Sequence, residues 1–339
     1  MASAGARGGI SPAGNDDVDA VKLLGVRGAI AVPLTVVISA AMFWIASRSP
    51  FDPLAAYLGA NYQRATESQR AAMSAAYNTD LPWWQAWWRW IGGVAGGDLG
   101  FSSTQSQPVT TVLADRMPFT LALSGAALLA AALVAIGVGC FAGMRGGGWI
   151  DRLCTGLAVL FAAVPPFVVA MVLVLVFAVG LRWLPATGAA APGADYTAAG
   201  VLRHAILPWV ALTVSMIPWL LLTTRAAVVD SVASDAVRGA RSRGVHGWAL
   251  LRGHVVPVSV LPTLALLGTR LPELIAGATI VETVFGWPGM AAALVESAAA
   301  LDFPLLAALT VGAALAVLAG SALSDAVAVA IDPRVRMQA

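Results

Sequence analysis

Few residues of this chain have the types and spacing that enzymatic chemistry needs. The single lysine, Lys22, is not preceded by the G-x-x-x-x-G pattern of a loop that cradles nucleotide phosphates. Neither H-E-x-x-H nor C-x-x-C occurs, and His204, His246 and His254 all stand at boundaries between apolar and charged sequence. We therefore expect no catalytic residue, no metal ligand and no cofactor bound by this chain.

Four of the nineteen arginines lie in one glycine-punctuated stretch, residues 238–257, between two long apolar runs. Its basic side chains are Arg238, Arg241, Arg243 and Arg252. Gly244 permits a tight turn. Val245, Trp248 and Leu251 recur every third residue, which would give a short helix one apolar side. The pattern predicts an apolar ridge, flanked by arginines, that docks into a groove of a partner. A cytoplasmic loop without a partner and a helix lying on anionic lipid are the alternatives.

A second group of charges lies in and beside an apolar run near the carboxyl end. Arg270 and Glu273 stand three residues apart, on one face of a helix, where they could pair. A lone charge at the centre of a bilayer costs about 2.5 to 3.5 kcal/mol, so both should face protein or water. They either line a solute pathway or fasten this helix to a partner subunit. Glu282, with Phe285 and Trp287 at the outer end of the run, is a candidate gate.

These residues must be positioned by helices that cross a membrane. Hydrophobic residues make up 59% of the chain and charged residues 11%, and a mean hydropathy of +0.80 would leave a soluble surface under-charged. Six apolar runs exceed the roughly 18 residues that mark a spanning helix, and charges interrupt only one of them. The runs are 28–47, 117–144, 153–181, 205–224, 255–281 and 303–324. The sequence therefore predicts an all-α membrane protein of six transmembrane helices, with the third kinked by Pro165 and Pro166.

The distribution of arginine between the runs predicts the orientation. With the amino terminus inside, the cytoplasmic loops and tails together hold eleven of the nineteen arginines, and both termini are then cytoplasmic. Residues 1–27 form a polar tail without the features of a cleaved signal peptide, and 28–47 form the first helix. An extracytoplasmic segment follows over 48–116. Residues 117–335 form a core with helices two to six, in which the loop 225–257 lies on the cytoplasmic side.

The segment between the first two helices is longer than a helix bundle needs, so it must be folded or held. Its most distinctive part, residues 82–91, is dense in tryptophan. The tryptophans at helical spacing are Trp83, Trp84, Trp87 and Trp88. They predict either an interfacial helix in an aromatic belt or a contact platform for an extracytoplasmic partner, and the two roles are compatible.

Short sequence blocks follow one another along the chain in an ordered series. In the outer segment they are Gly96-Gly-Asp-Leu-Gly-Phe-Ser102, Pro108-Val109 and Asp115-Arg-Met-Pro-Phe-Thr-Leu121. Near the carboxyl end they are Val281-Glu-Thr-Val-Phe-Gly-Trp-Pro-Gly289, Leu301-Asp-Phe-Pro304 and Asp332-Pro-Arg-Val-Arg336. With Ala240, Gly244 and Pro257 of the basic stretch, they resemble elements of the permease subunits of bacterial dipeptide/oligopeptide (DppB/OppB-like) ABC importers. The resemblance runs from the first helix to the carboxyl end.

The resemblance implies the type I permease fold of ABC importers and a bacterial inner-membrane location. It implies that the basic stretch is a coupling helix seated in a groove of an ATPase subunit. ATP and Mg would bind to two such subunits (DppD/DppF- or OppD/OppF-like). The other implied partners are a paralogous permease (DppC/OppC-like) that encloses the pathway with this chain, an extracytoplasmic substrate-binding protein (DppA/OppA-like) and membrane lipid. Nucleic acid is not an implied partner.

Di- and oligopeptides are the implied solutes, and nickel, glutathione or a similar solute of the same family is the alternative. The chain departs from the family pattern at Arg270, Pro272 and Glu273, where small apolar residues are expected, and at Leu301, where arginine is usual. An ion-coupled secondary transporter is disfavoured because no inverted repeat is evident. An intramembrane enzyme would need paired polar groups at bilayer depth, and Asp325 has no such partner in the sequence.

Overall fold

The computed structural model describes residues 29, 32–45, 47–48, 62–77, 81–269 and 271–331, and the side chains of 75–77, 268–269, 271–277 and 323–331 lie outside this description. The first elements are α1 (Val32–Ile45), α2 (Glu67–Tyr77), α3 (Trp83–Ala95), β1 (Phe101–Ser102) and β2 (Gln107–Pro108). The later helices are α4 (Val109–Gly143), α5 (Trp149–Ala162), α6 (Pro166–Leu173, continued by π-helical Val174–Gly180), α7 (Ala198–Ala233), α8 (Asp235–Ser242), α9 (Gly247–Leu250, continued by π-helical Leu251–Val255), α10 (Val256–Thr269), α11 (Leu271–Phe285), α12 (Met290–Ala300) and α13 (Phe303–Ile331).

Four of the described helices are long and apolar enough to cross a membrane by themselves. They are α4, α7, the continuous helix Gly247–Leu267 and the Phe303–Ala322 part of α13. Two bent pairs add up to two further spans: Trp149–Ala162 with Pro166–Gly180, bent by 97°, and Ala278–Phe285 with Met290–Ala300, bent by 86°. The described ranges are thus helical with four to six candidate spans, and their only strands form one short hairpin.

Two of the predicted single helices are divided. Over 153–181 the sequence predicts a kink, but α5 and α6 meet at the much sharper angle of 97°. Pro166 is the first residue of α6, and prolines at 165 and 166 remove backbone donors and disfavour helix in the residue before them. The run 255–281 is shared by α10 and α11, and α11 forms its bent pair with α12 instead of extending α10.

The two longest helices, α4 and α7, pack closely because α4 places a small residue at every fourth position of their contact. The buried series is Ala127, Ala131, Ala135, Gly139 and Gly143. A Cβ on Gly139 would lie 2.8 Å from the Thr224 side chain, and one on Gly143 would lie 2.7 Å from Val228. Lipid tails are as apolar as the side chains, so burying apolar surface between helices stabilises them little in a membrane. Van der Waals packing at close backbone approach holds the helices together instead.

Polar contacts join α7, the central helix, to two further neighbours. The hydroxyls of Thr224 and of Thr263 in α10 are hydrogen-bonded at 2.7 Å. At the start of α5, the carboxylate of Asp151 accepts two hydrogen bonds from the Arg225 guanidinium, at 2.8 and 2.6 Å. The Asp151 side chain is 3% exposed, so this bidentate pair fixes α5 against α7 from inside the protein.

The segment before α4 is folded against the membrane helices. In α3, Trp87 packs with Phe43 of α1, and its indole N–H donates to the Ser39 hydroxyl at 3.1 Å. The chain then forms an antiparallel hairpin in which Phe101 lies opposite Pro108. Because α4 begins at the residue after this hairpin, the predicted boundary between 116 and 117 falls inside one continuous helix.

Candidate docking surface and outer junction

The basic stretch 238–257 folds as a helix–turn–helix at one end of the long helices. Ser234 ends α7 and caps α8, where its hydroxyl accepts a hydrogen bond from the Val237 N–H at 3.4 Å. After Ser242, Gly244 turns the chain with φ of +83°, a conformation that other residues rarely adopt. α9 and its π-helical turns then lead directly into α10. The predicted single coupling helix is therefore a pair of short helices, and the first part of the predicted loop belongs to α7.

The inner side of this helix–turn–helix is fixed to the body of the chain. Its buried cluster comprises Cys140, Val228, Val237, Ala240, Leu250 and Val255. Within the helix–turn–helix, the Val245 N–H donates to the Ala240 carbonyl at 3.1 Å and closes the turn. The cluster includes Cys140 of α4 and Val228 of α7, and its Val255 directly precedes α10. A displacement of α8 and α9 therefore acts on the ends of three long helices.

The outer side is exposed and basic. Its exposed side chains are Arg238, Arg241, Arg243, Trp248 and Arg252. Arg238 pairs with Asp235, one turn earlier in α8. Within the described ranges, the other three arginines form no ion pair, and Trp248 is 73% exposed. The structure thus brings the predicted basic residues onto one surface with a projecting indole at its edge.

The predicted apolar ridge does not form as one side of a helix. Val245 and Leu251 are half-buried and pack against the inner cluster, whereas Trp248 points away from it. A three-residue spacing aligns side chains only within a continuous α-helix. Val245 precedes α9, and Leu251 begins the wider π-helical turns, so the alignment is lost. Pro257 is exposed in the first turn of α10.

At the opposite end of the long helices, Glu282 is fully buried and joins three elements. Its carboxylate accepts hydrogen bonds from the Thr120 hydroxyl of α4 at 2.7 Å and from the Ala291 N–H of α12 at 2.9 Å. The Thr120 hydroxyl in turn accepts from the Met290 N–H at 2.8 Å. Gly289 is so close that a Cβ there would overlap the Glu282 carboxylate. Glu282 therefore caps α12 and holds it against α4.

Phe285 and Trp287 also lie inside the chain, each 2% exposed. The Trp287 indole donates to the Phe119 carbonyl at 3.3 Å, and the Phe285 carbonyl accepts from the Gly188 N–H at 2.8 Å. In the described conformation the three predicted gate residues thus serve packing and capping. A gating role would require this junction, which includes Glu282, to open.

The predicted charge pair of the fifth apolar run lies outside the described residues, Arg270 entirely and Glu273 in its side chain. α11 begins directly after Arg270, where the run is divided. Pathway lining and fastening to a partner both stay predictions. In the part of the chain that the structure describes, no three His, Cys, Asp or Glu side chains are grouped as ligands of a metal ion would be.

Sequence reasoning missed a second buried carboxylate, that of Asp302. Its Oδ2 accepts hydrogen bonds from the Ser102 hydroxyl at 2.6 Å, the Thr104 N–H at 3.0 Å and the Thr104 hydroxyl at 2.8 Å. Its Oδ1 accepts from the Leu305 N–H at 3.3 Å, in the first turn of α13. Asp302 thus ties the hairpin to α13. Ser102 and Asp302 each belong to one of the short sequence blocks that carry the family resemblance. The order of two blocks along a chain does not show that they are in contact.

The four predicted tryptophans of α3 face two ways. Trp87 is buried and Trp83 half-buried, in a cluster with residues of α1 and α13. Trp84 and Trp88 are 50% and 63% exposed. One side of α3 therefore anchors it to the chain, and the other side is free to meet lipid or protein.

Comparison with known proteins places these features in a family. The family described as "Binding-protein-dependent transport system inner membrane component" matches residues 135–337. The oligopeptide transport system permease protein AppB of Bacillus subtilis is 27% identical over 310 residues, which cover 91% of this chain and 97% of the relative. The glutathione transport system permease protein GsiC of Escherichia coli is 29% identical over 306 residues, covering 90% and 95%. The dipeptide transport system permease protein DppB of Lactococcus lactis is 28% identical over 275 residues, covering 81% and 88%.

The family match includes α8, α9, Glu282 and Asp302, whereas the hydrogen-bond partners Thr120, Ser102 and Thr104 lie before it. Members of this family are multi-pass inner-membrane components of transport systems and have no catalytic activity, so the prediction that this chain is not an enzyme is confirmed. The resemblance stated from the sequence blocks is confirmed as well. The chain belongs to the family of inner membrane components of binding-protein-dependent transport systems, as a permease subunit of an ABC importer.

Proposed function

We propose that this chain carries peptide-like solutes, with di- and oligopeptides foremost, as one of two permeases that enclose the pathway. Relatives named as oligopeptide and dipeptide permeases match 91% and 81% of the chain, which supports this solute class. Two ATPase subunits bind ATP and Mg and contact α8 and α9, which are thus the docking helices. An extracytoplasmic binding protein delivers the solute to the opposite end.

The coupling part of this proposal rests on one observation: α8 and α9 have a buried inner side and an exposed basic outer side. The inner side is anchored in a cluster shared with the long helices, and the outer side presents unpaired arginines and Trp248. A projecting surface anchored in this way suits a groove of an ATPase subunit. Nucleotide-driven closure of the ATPases would then move α8 and α9 as a rigid body and carry the ends of α4, α7 and α10 with them.

Trp248→Asp tests the docking surface because it replaces an exposed indole and leaves the inner cluster intact. A buried interfacial tryptophan commonly accounts for 2 kcal/mol or more, so we expect association with the ATPase subunits to weaken about 30-fold. Stimulation of ATP hydrolysis by the loaded binding protein should fall with it. Trp183→Asp, at a 62% exposed tryptophan of the opposite end, is the matched control. Normal co-purification and normal stimulation in Trp248→Asp would contradict the proposal.

We further propose that the docking end faces the cytoplasm, with both termini on that side, as the arginine distribution supports. Ala194 and Ser242 are exposed and lie near opposite ends of the long helices. Single cysteines at these positions, in a chain with Cys140 and Cys154 replaced by serine, report the orientation. An impermeant maleimide added to intact cells should label Ala194→Cys and not Ser242→Cys. The reverse pattern would invert the topology.

Glutathione is the second candidate solute because a relative named as a glutathione permease covers 90% of this chain. Both candidates are small peptides, so their uptake must be compared directly. We expect cells with the complete transporter to take up labelled di- or oligopeptide, and excess glutathione to leave that uptake unchanged. Uptake of glutathione instead would select the second candidate. Uptake driven by an ion gradient without ATPase subunits would favour a secondary transporter.

The exposed tryptophans of α3 are the proposed contact for the extracytoplasmic binding protein. Trp84→Ala combined with Trp88→Ala should weaken binding of that protein while the ATPase subunits stay attached. Trp83 and Trp87 are unsuitable for this test, since their packing against α1 and α13 would be lost. Unchanged affinity for the binding protein would assign the exposed side of α3 to lipid.

A further inference from the structure

The turn between α4 and α5 forms an exposed corner with one tryptophan and two arginines. It lies at the docking end, because Cys140 near the end of α4 packs in the cluster beneath α8 and α9. Gly147 turns the chain with φ of +82°, and α5 begins with Trp149, which is 74% exposed. Arg145 and Arg152 stand on either side of this tryptophan in sequence, and both are exposed.

The charge of this corner is not compensated within the described ranges. Neither Arg145 nor Arg152 forms an ion pair there. The Arg145 guanidinium lies 3.8 Å from the centroid of the Phe141 ring, a contact that positions it without neutralising it. The acidic residue of the same turn, Asp151, is buried and fully engaged by Arg225. Two positive charges are therefore available to an external anion.

The side of α5 that follows this corner is apolar and exposed. Leu153, Leu157 and Leu160 come after Trp149 at helical spacing and are 52%, 45% and 59% exposed. α5 is half of a candidate span in a multi-pass membrane protein, so this exposed apolar side is suited to contact acyl chains. Trp149 and Arg152 then stand at the boundary between hydrocarbon and headgroups, where tryptophan is enriched.

We propose that this corner binds the headgroup of an anionic phospholipid, with Arg145 and Arg152 contacting the phosphate and Trp149 lying beside the upper acyl chains. The adjoining leucines favour a lipid over a free phosphate ion, because they hold the acyl chains next to the arginines. Each basic residue near an anionic surface favours anionic lipid about fivefold, so two arginines at one headgroup give about a 25-fold preference over zwitterionic lipid. The inference needs only the position in the membrane and is independent of the docking proposal.

Trp149 reports on its own lipid neighbours, because bromine on an acyl chain quenches a nearby indole. The full chain is placed in lipid nanodiscs, and the difference in emission between it and Trp149→Phe isolates this residue from the other tryptophans. One nanodisc contains brominated phosphatidylglycerol and unbrominated phosphatidylcholine. The other contains brominated phosphatidylcholine and unbrominated phosphatidylglycerol, with the same fraction of brominated lipid. We expect the first to quench Trp149 several times more strongly.

Arg145→Gln combined with Arg152→Gln should reduce quenching by the anionic lipid to the level of the zwitterionic lipid. Arg64→Gln, at an exposed arginine of the outer segment, should keep the preference. All three positions are exposed, so we expect the variants to fold, and circular dichroism would verify this.

Equal quenching by the two brominated lipids in the unmodified chain would overturn the proposal, as would a preference that survives loss of both arginines. Relief of quenching by inorganic phosphate, but not by chloride at equal ionic strength, would assign the corner to a free anion. Relief by added ATPase subunits would assign it to a protein partner. The lipid assignment requires that neither addition changes the preference.

Discussion

Gly289→Ala adds one methyl group where α11 turns into α12. That methyl would overlap the Glu282 carboxylate, whereas non-bonded atoms need about 3.5 Å or more between them. The carboxylate must move or the turn must open, and either change breaks its bonds to the Thr120 hydroxyl and the Ala291 N–H, which are 2.7 and 2.9 Å long. Backbone strain is not the cause, since the φ of −95° at Gly289 suits any residue.

The cost follows from the two hydrogen bonds that are lost. A hydrogen bond to a charged group contributes about 1.5 to 3 kcal/mol, so the variant should lose about 3 to 6 kcal/mol of stability. Folded proteins have only about 5 to 15 kcal/mol in total, so a large fall in folded yield is expected. Gly125→Ala is the matched control, because its added Cβ would meet nothing within 4 Å and alanine favours the α4 helix.

The assay is thermal inactivation of the purified full chain, measured in a double-mutant cycle with Glu282→Ala. Removing the carboxylate loses the same hydrogen bonds and also removes the overlap. In that background Gly289→Ala should therefore cost almost nothing more, and the two effects should be strongly non-additive. Wild-type stability of Gly289→Ala, or equal losses in both backgrounds, would refute the close contact around Glu282.

Three further variants test the packing of the helices. Gly143→Leu should force α4 away from α7 and lower the free energy of unfolding by about 1 to 3 kcal/mol, compared by thermal shift with Gly137→Leu, where the added Cβ meets nothing. Asp302→Asn should cost about 2 to 3 kcal/mol, because the amide cannot accept all four hydrogen bonds of the carboxylate, and the hairpin should become sensitive to a broad-specificity protease. Arg225→Met should cost about 3 to 5 kcal/mol by leaving Asp151 buried and unpaired, and adding Asp151→Leu should recover much of that loss in the same thermal assay. Equal stability of the single and double variants would show that the ion pair does not fix α5.

Hydropathy located the cores of three membrane helices, because preference for lipid is a property of one segment. The runs 153–181 and 255–281 are instead divided between helices, and α1, described in the run 28–47, is a shorter apolar helix outside the candidate spans. The cores of α4, α7 and α13 coincide with the runs 117–144, 205–224 and 303–324. Their ends do not, since α4 starts at Val109 and α7 extends over Ala198–Ala233. These extensions are held by contacts with other parts of the chain, which a hydropathy count does not contain.

The basic stretch 238–257 could be located from sequence, but its inner and outer sides could not be assigned. The spacing of Val245, Trp248 and Leu251 assumes a continuous helix, and the turn at Gly244 and the π-helical turns break it. The junction was harder still, because Thr120 and Glu282 are 162 residues apart. By contrast, the repeat of small residues along α4 was readable in the sequence and indicates a close helix contact.

The bond between Ser102 and Asp302 spans 200 residues, so the hairpin reaches its final place only when nearly the whole chain has been made. Ribosomes add about 5 to 20 residues per second, and the hairpin therefore waits about 10 to 40 s after its own synthesis. During this interval the Ser102 and Thr104 hydroxyls lack the Asp302 carboxylate as their acceptor. A chain that stops before Asp302 cannot form this contact, so protease sensitivity of the hairpin would distinguish an incomplete subunit from a complete one.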